Sequence, residues 1–465
     1  MNIVLIALVV LVCGGSIFMR PSEAPAALAM CALFASPTII VLARTPAQRT
    51  FLMRLFVLAL VVRIILSVVI FVGHMEEFFG GDANTYDIFG QSLVEAWHGN
   101  EYHQAKFEGF VASGASAWGM IYLVAGVYEV IGPNMLAIQL INAAIGAATA
   151  IVVFHATQTL FDNTRAAKVA AVLVAFFPSL VLWSSQALKD GLIIMALAFS
   201  ILATLRLMEK ITAPFVVVLI GSLLALFSLR FYIFYMMCAA VAGSFVLGMK
   251  TLSAQAFLQR FIAVSVIGLA FTWFGVLQSA GMQFERYANL KQIQNSREDQ
   301  ASAGSGFMKD VDVGTTEGAL TVIPVGLLYL MFAPFPWQFT TLRQTITLPE
   351  MVIWWLAFPL LILGLWYSLR HRLRQVSPII IFTTMLTLAY SLFQGNVGTA
   401  YRQRSQLLVF YFIFVAVGAI IMKERAENRR LQQQLARQEL AELQAARVLA
   451  RRKGADVHHG SAASI

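Results

Sequence analysis

The chain has 465 residues, 59% of them hydrophobic and only 12% charged, with a formal net charge of +9 and a mean hydropathy of +0.75. Soluble domains carry roughly 25% charged residues, so a soluble globular enzyme is excluded. The basic excess is what short basic loops give a polytopic membrane protein, and no nucleic-acid partner is needed to explain it.

The first apolar run, "MNIVLIALVVLVCGGSIFMR", lacks a basic start, and Val12 before Cys13 fits a lipoprotein cleavage site poorly. It reads as an uncleaved first span, at 2–19. Further runs of roughly 17–25 apolar residues, the length a bilayer requires, fall at 25–43, 55–73, 135–157, 168–184, 190–207, 213–229, 231–249, 260–279, 350–368, 377–394 and 405–422. The predicted fold is an all-α polytopic membrane protein with about twelve transmembrane helices. Cys13, Cys31 and Cys238 all lie inside apolar runs, without metal-ligand spacing, and are expected to be free thiols.

Basic residues gather in 44–54, 162–168, 250–260, 370–375 and the segment from Lys423. The positive-inside rule assigns these to the cytoplasm, together with both termini. The opposite face receives the loops 74–134 and 280–349, the elbow "SSQALKD" (184–190), the turn at Arg230 and the connection "GNVGTAYRQR" (395–404). Two apolar stretches, 118–132 and 319–333, are predicted to lie along the outer interface, since counting either as a crossing breaks the charge pattern. The polar segment 283–317 is expected to be a mobile loop. The transmembrane domain thus covers 1–422. A cytoplasmic helix follows at 423–453, suited to anionic headgroups or a partner protein, and then a disordered tail, 454–465.

Chemistry concentrates on the outer face. Asp82 follows Gly80 and Gly81 where the chain leaves the third span. It suits a helix N-cap, or a general base approached closely by a ligand; Glu76, Glu77 and Asp87 are its acidic rivals. Lys189 and Asp190 sit at the elbow, either as a solvated turn or as a phosphate or metal site. Arg230, Arg402 and Arg404 are arginines in short outer connections, where positive charge is disfavoured. Their bidentate geometry suits phosphate, whether an ordinary headgroup or a specific ligand. Arg63, mid-span, is expected to face the bundle interior and a structural partner.

The run "YEVIGPNMLAIQLINAAIGAATAIVVFHATQTLFDNTRAAKVAAVLVAFFPSLVLWSSQALKDG", preceded by an acidic outer loop, resembles the N-terminal module of the GT-C superfamily of integral-membrane glycosyltransferases. That superfamily includes the protein O-mannosyltransferases and the lipid A aminoarabinose transferase, and the resemblance covers about 55–210. It implies that Asp82 matches the catalytic base and Asp190 the aspartate at the donor phosphate or a metal. It implies a polyprenyl-phosphate sugar donor, transfer to an acceptor hydroxyl on the extracytoplasmic face, a place in polysaccharide or glycoconjugate assembly, and a bacterial inner membrane. The arginines and Lys189 would then bind the departing phosphate, and a single displacement inverts the anomeric centre. No cofactor is required by the sequence, though a divalent metal fits the implied role of Asp190. Here two spans precede the acidic loop in place of one, and "GDANTYD" stands for the usual acidic doublet. Three other readings remain: an O-antigen-type polymerase or ligase using lipid-diphosphate donors, a transporter or flippase, and a non-catalytic scaffold of a polysaccharide-assembly complex.

Overall fold

The structure is a computed structural model and describes residues 3–112, 117–247, 268, 290–302, 305–308, 311–338 and 342–460. Among the described residues the secondary structure is helical apart from one isolated bridge between Gly306 and Asn396. Six helices are long and apolar enough to cross a membrane, and five shorter apolar helices accompany them among the described residues. The chain is a multi-pass membrane protein.

The predicted spans fall on helices α1 (Ile3–Met19), α2 (Ala24–Arg44), α3 (Arg49–Val72), α8 (Met135–Phe161), α11 (Asp190–Glu209), α12 (Ala213–Leu229) and α13 (Phe231–Leu247). Between α3 and α8 the outer loop carries α4 (Glu76–Phe79), α5 (Asp82–Trp97), α6 (Glu101–Ala112) and α7 (Trp118–Ile131). Helix α8 is buried along almost all its length and forms the centre of the bundle. Its start is fixed by Asn134, whose side chain accepts from the Ala137 backbone N–H at 3.0 Å, the ordinary N-cap bond. The three cysteines are free.

Four segments differ from expectation. The span at 168–184 is divided into α9 (Thr164–Phe176) and α10 (Pro178–Trp183). Pro178 supplies no N–H and drives Phe177 into extended backbone (ψ 126°). The segment 283–317 contains a further helix, α14 (Leu290–Ser302), and the start of α15 (Thr316–Phe332). Thr315 caps α15 by accepting from Gly318 N at 3.2 Å. Next, a 3₁₀ turn (Pro336–Gln338) and a short helix, α16 (Leu342–Thr345), lead to α17 (Leu348–Phe393). Helix α17 carries both spans at 350–368 and 377–394; the basic stretch joining them is helical, and Arg372 alone leaves helical geometry (φ −134°, ψ 20°). Tyr401 bonds Glu350 at 2.6 Å, and Tyr390 bonds Gln406 at 2.6 Å. Both ends of α17 therefore lie beside the same turns of the next helix, and its two arms run back on one another.

The last difference matters most. Helix α18 runs from Val397 to Gly460, so the outer connection 395–404 is mostly helix. Asn396 caps it, its Oδ1 accepting from Gly398 N at 2.8 Å. The same helix continues through 423–453 and past Gly454, because one glycine costs a helix only about 1 kcal/mol and does not end it. The predicted span at 260–279 and the basic loop 250–260 lie outside the described residues.

Candidate functional site

Asp82, Lys189, Asp190, Arg230 and Arg402 come together at one end of the bundle. The α11 and α18 N-termini, the α12 C-terminus and the α3–α5 connection all open there, as an alternating up-down chain requires.

Asp190 is the buried anchor, with no solvent exposure. It is the first residue of α11, where a helix N-terminus favours a carboxylate. Arg402 donates to its Oδ2 from Nε at 2.9 Å and from Nη2 at 2.6 Å. Arg230 Nη2 lies 3.9 Å from Oδ1, and Gln406 Nε2 stands 3.5 Å from the same oxygen. The remaining arm of Arg402, Nη1, donates to Asp82 Oδ2 at 2.8 Å. One guanidinium therefore spans two carboxylates, one fully buried and the other with its side chain 51% exposed.

Aromatic residues wall the cluster. Arg402 lies over the Trp183 ring at 5.6 Å and Lys189 over the Tyr86 ring at 5.9 Å. Arg230 is placed over Tyr232 at 5.8 Å, and its Nη1 is 3.5 Å from the Tyr390 hydroxyl. Burial, with Arg230 nearby, lowers the Lys189 ammonium from its ordinary 10.5 to about 7, against the pull of Asp190 and Asp82. Burial also holds the Tyr86 phenol well above its usual range, helped by the Asp82 and Asp190 carboxylates.

Gly80 and Asp82 deliver the outer carboxylate. Gly80 has φ +150°, a conformation L side chains rarely adopt, and a Cβ there would stand 3.6 Å from Arg402 Nη1. Asp82 is not the N-cap: Gly81 occupies that position, and Asp82 opens the helix with its carboxylate turned to Arg402.

The acidic rivals are engaged elsewhere. Asp87 accepts from the Tyr128 hydroxyl and from Gln91 at 3.0 Å. Glu76 is buried beside Gln139 at 3.4 Å, and Glu77 faces Asn84 at 3.4 Å. Arg404 also stands apart, a correction to its grouping with the other arginines. Two residues along a helix turn a side chain by roughly 200°, so Arg404 points away from Arg402. Its Nη1 donates to the Met331 and Ala333 carbonyls at 3.1 and 3.0 Å, with Nη2 3.0 Å from Met351 Sδ.

Tyr390 and Gln406 were missed by sequence reasoning, as was the part Trp183 plays. Gln406 had one readable signal, its i, i+4 relation to Arg402 on a helix. That signal disappears when 395–404 is taken as a loop.

Two carboxylates facing three cations leave an excess positive charge suited to an anionic ligand. The same donor set fits a divalent metal poorly, because Arg402 occupies the space between Asp82 and Asp190. Among the described residues no group of three His, Cys, Asp or Glu side chains could hold such an ion.

No protein family matches the chain, and no curated protein matches it in sequence. Two solved structures of an oligosaccharyltransferase from Archaeoglobus fulgidus are similar to it. One is the archaeal enzyme AglB in complex with an inhibitory peptide and a dolichol-phosphate, at 14% identity over 68% of this chain. The other is the apo form, at 15% identity over 69%. Both give a TM-score of 0.40, and the chain spans 44% of the length of each. The roles of individual residues follow from the geometry of the cluster alone.

Proposed function

We propose that this protein is an integral-membrane glycosyltransferase of the GT-C type, moving a sugar from a polyprenyl-phosphate donor to an acceptor hydroxyl. The observation that carries the reading is the half-exposed Asp82 carboxylate beside an arginine anchored on buried Asp190, with Lys189 and Arg230 completing a cationic pocket. A lipid-anchored donor brings its phosphate to the bilayer boundary, and the position of these groups at helix ends supports a site at that depth. Arg402, Arg230 and Lys189 bind the phosphate and stabilise the negative charge it gains as the sugar leaves. Asp82 takes the proton of the acceptor hydroxyl. The acceptor oxygen forms its bond to the anomeric carbon, the carbon–oxygen bond to phosphate breaks, and the electron pair leaves on the polyprenyl phosphate. One displacement inverts the centre. No step is assigned to a metal.

The basic loops 44–54, 162–168 and 370–375 lie at the other end of the bundle, and by the positive-inside rule this supports a cluster outside the cytoplasm, in keeping with a bacterial inner membrane and with surface polysaccharide or glycoconjugate assembly. The exposed helix from Lys423 would then be cytoplasmic, free to meet a partner protein. The decisive experiment is sugar transfer in reconstituted vesicles with Asp82→Asn and Arg402→Lys variants. Loss of transfer in both, with loss of polyprenyl-phosphate binding only in the arginine variant, is the expected pattern. Full transfer by Asp82→Asn would instead favour the arginine-led polymerase or ligase, a reading to which the Asp82–Arg402 ion pair lends support, since that pair occupies the carboxylate.

A further inference from the structure

The elbow that carries Lys189 and Asp190 is buried from Ser184 to Asp190, yet it is not a helix and cannot satisfy its own carbonyls. Three side chains outside it do so or close around it. Asn142 Nδ2 donates to both the Gln186 and Leu188 carbonyls, each at 2.7 Å. Ser67 Oγ donates to the Ser185 carbonyl at 2.9 Å. Arg63 donates from Nε to Ser184 Oγ at 2.8 Å and from Nη1 to the Ala175 carbonyl at 2.7 Å. That carbonyl belongs to the last turn of α9, where the break at Phe177–Pro178 stops the ladder. Gly146, one turn beyond Asn142, admits the elbow: a Cβ there would meet Ser184 Cβ at 2.4 Å, Ser184 Oγ at 2.5 Å and Arg63 Nε at 2.9 Å. Asn142 and Gly146, four apart on α8, present one face to the elbow. The "LINAAIGA" run (140–147) is thus shaped around the loop that enters the cluster.

We infer that Asn142 and Arg63 are positioning residues, which hold the 184–189 elbow so that Lys189 and Asp190 project into the cationic pocket. The inference rests on the reading of that pocket as a phosphate site. Lys189 follows Leu188 directly, and the Leu188 carbonyl is one of the two that Asn142 holds. Releasing it frees the backbone that aims the ammonium.

The test is polyprenyl-phosphate binding by the full-length protein in detergent across pH. The probe is a long-chain polyprenyl phosphate carrying no sugar, and the variant is Asn142→Leu, close in volume, uncharged and unable to donate. The groups around Lys189 that shape its titration are Asp190 on α11, Asp82 and Tyr86 on α5, Arg230 in the α12–α13 turn and Arg402 on α18; the substitution changes none of them. Ser200→Ala, which breaks the buried bond to Ser222 elsewhere on α11, serves as a control for destabilisation alone.

The expected result is binding about ten- to a hundredfold weaker in Asn142→Leu, the worth of a charge-assisted hydrogen bond, with the fall in affinity at rising pH displaced from its wild-type position. Ser200→Ala leaves both unchanged. An Asn142→Leu protein that binds with wild-type affinity and pH dependence overturns the inference. So does one that shifts only as much as Ser200→Ala does. In both cases the phosphate-site reading stands if Arg402→Lys still abolishes binding. If Arg402→Lys binds as wild type does, the reading and the inference fall together. Should Asn142→Leu not fold, Gly146→Ala, which forces the elbow outward, is expected to act in the same direction, and unaltered binding by it overturns the inference equally.

Discussion

The Asp82 carboxylate lies 2.8 Å from Arg402 Nη1, while the other two donating nitrogens of that guanidinium are committed to Asp190. The two grips differ in strength. The Asp190 side is out of water, and the Asp82 side is half exposed and screened. An incoming phosphate therefore competes for Nη1 with Asp82, the weaker partner, and its binding would release the carboxylate needed as a base. Asp82→Asn is expected to reduce transfer by about 10²–10⁴-fold, the usual range for a lost general base. Binding of polyprenyl phosphate should hold or tighten, since a competitor for Nη1 has been neutralised. Transfer kinetics and equilibrium binding on the same preparation separate the two effects.

The depressed Lys189 ammonium makes the site sensitive to pH near neutrality. In the folded, unliganded protein it titrates at about 7, and in the unfolded chain at 10.5. Between these values the unfolded chain binds a proton that the folded one does not. The stability of the empty protein therefore rises with pH across that window and is unaffected by this group below it. Phosphate binding has the opposite sign, because the anion favours the ammonium and a proton is taken up. Affinity for polyprenyl phosphate is expected to be highest below pH 7 and to fall above it, by at most about tenfold per pH unit for one proton. Lys189→Met should bind more weakly and lose this slope. Binding isotherms from pH 6 to 9, in buffers of different ionisation enthalpy, read both the slope and the proton uptake.

Much of this arrangement is legible in the sequence, and the parts that are not have physical causes. Apolar run length placed the helices, because every backbone polar group in lipid must be satisfied internally and only helices do that here. The same criterion hid the break at Phe177–Pro178, since the run is apolar straight through it and the donor that serves the Ala175 carbonyl there, Arg63, is distant in sequence. Asp82, Lys189, Asp190, Arg230 and Arg402 were visible as charges at the same level. Arg404 was misjudged with them because the Asn396 cap was not read. Once that cap starts a helix at Val397, residues 402 and 404 must diverge. Tyr390 and Gln406 lie within or beside apolar runs, where a single polar residue says nothing about its partner until the helices are packed.

The helix beyond Met422 is exposed through Gln444, so that stretch contributes little buried apolar area to the bundle in the isolated chain. Truncation after Lys423 is expected to leave thermal unfolding in detergent and polyprenyl-phosphate binding unchanged, and purified transfer activity within about twofold, as for surface changes away from packed features. Loss of product in cells, with purified activity intact, would identify the helix as a docking element. Intact product in truncated cells that depends on Asp82 would sink the scaffold reading.

Arg402 and Arg404 offer the sharpest contrast, because two neighbouring arginines on one helix should fail in different ways. Arg404 is fully buried, holds two carbonyls of the segment where α15 ends and lies within electrostatic reach of Glu350, which in turn accepts from the Tyr401 hydroxyl at 2.6 Å. Arg404→Met leaves those two carbonyls without their charged donor and removes a cation near that carboxylate, a loss of about 1–3 kcal/mol for each buried group left unsatisfied. The midpoint of unfolding should drop, while protein that is still folded binds polyprenyl phosphate as before. Adding Glu350→Gln should restore part of the stability, since the uncompensated charge is then gone. Arg402→Met also strips the buried Asp190 of its main partner, but here binding should be lost in protein that remains folded. Thermal unfolding and binding measured on all three variants decide the assignment. Equal losses of binding from both arginines would place Arg404 back in the site.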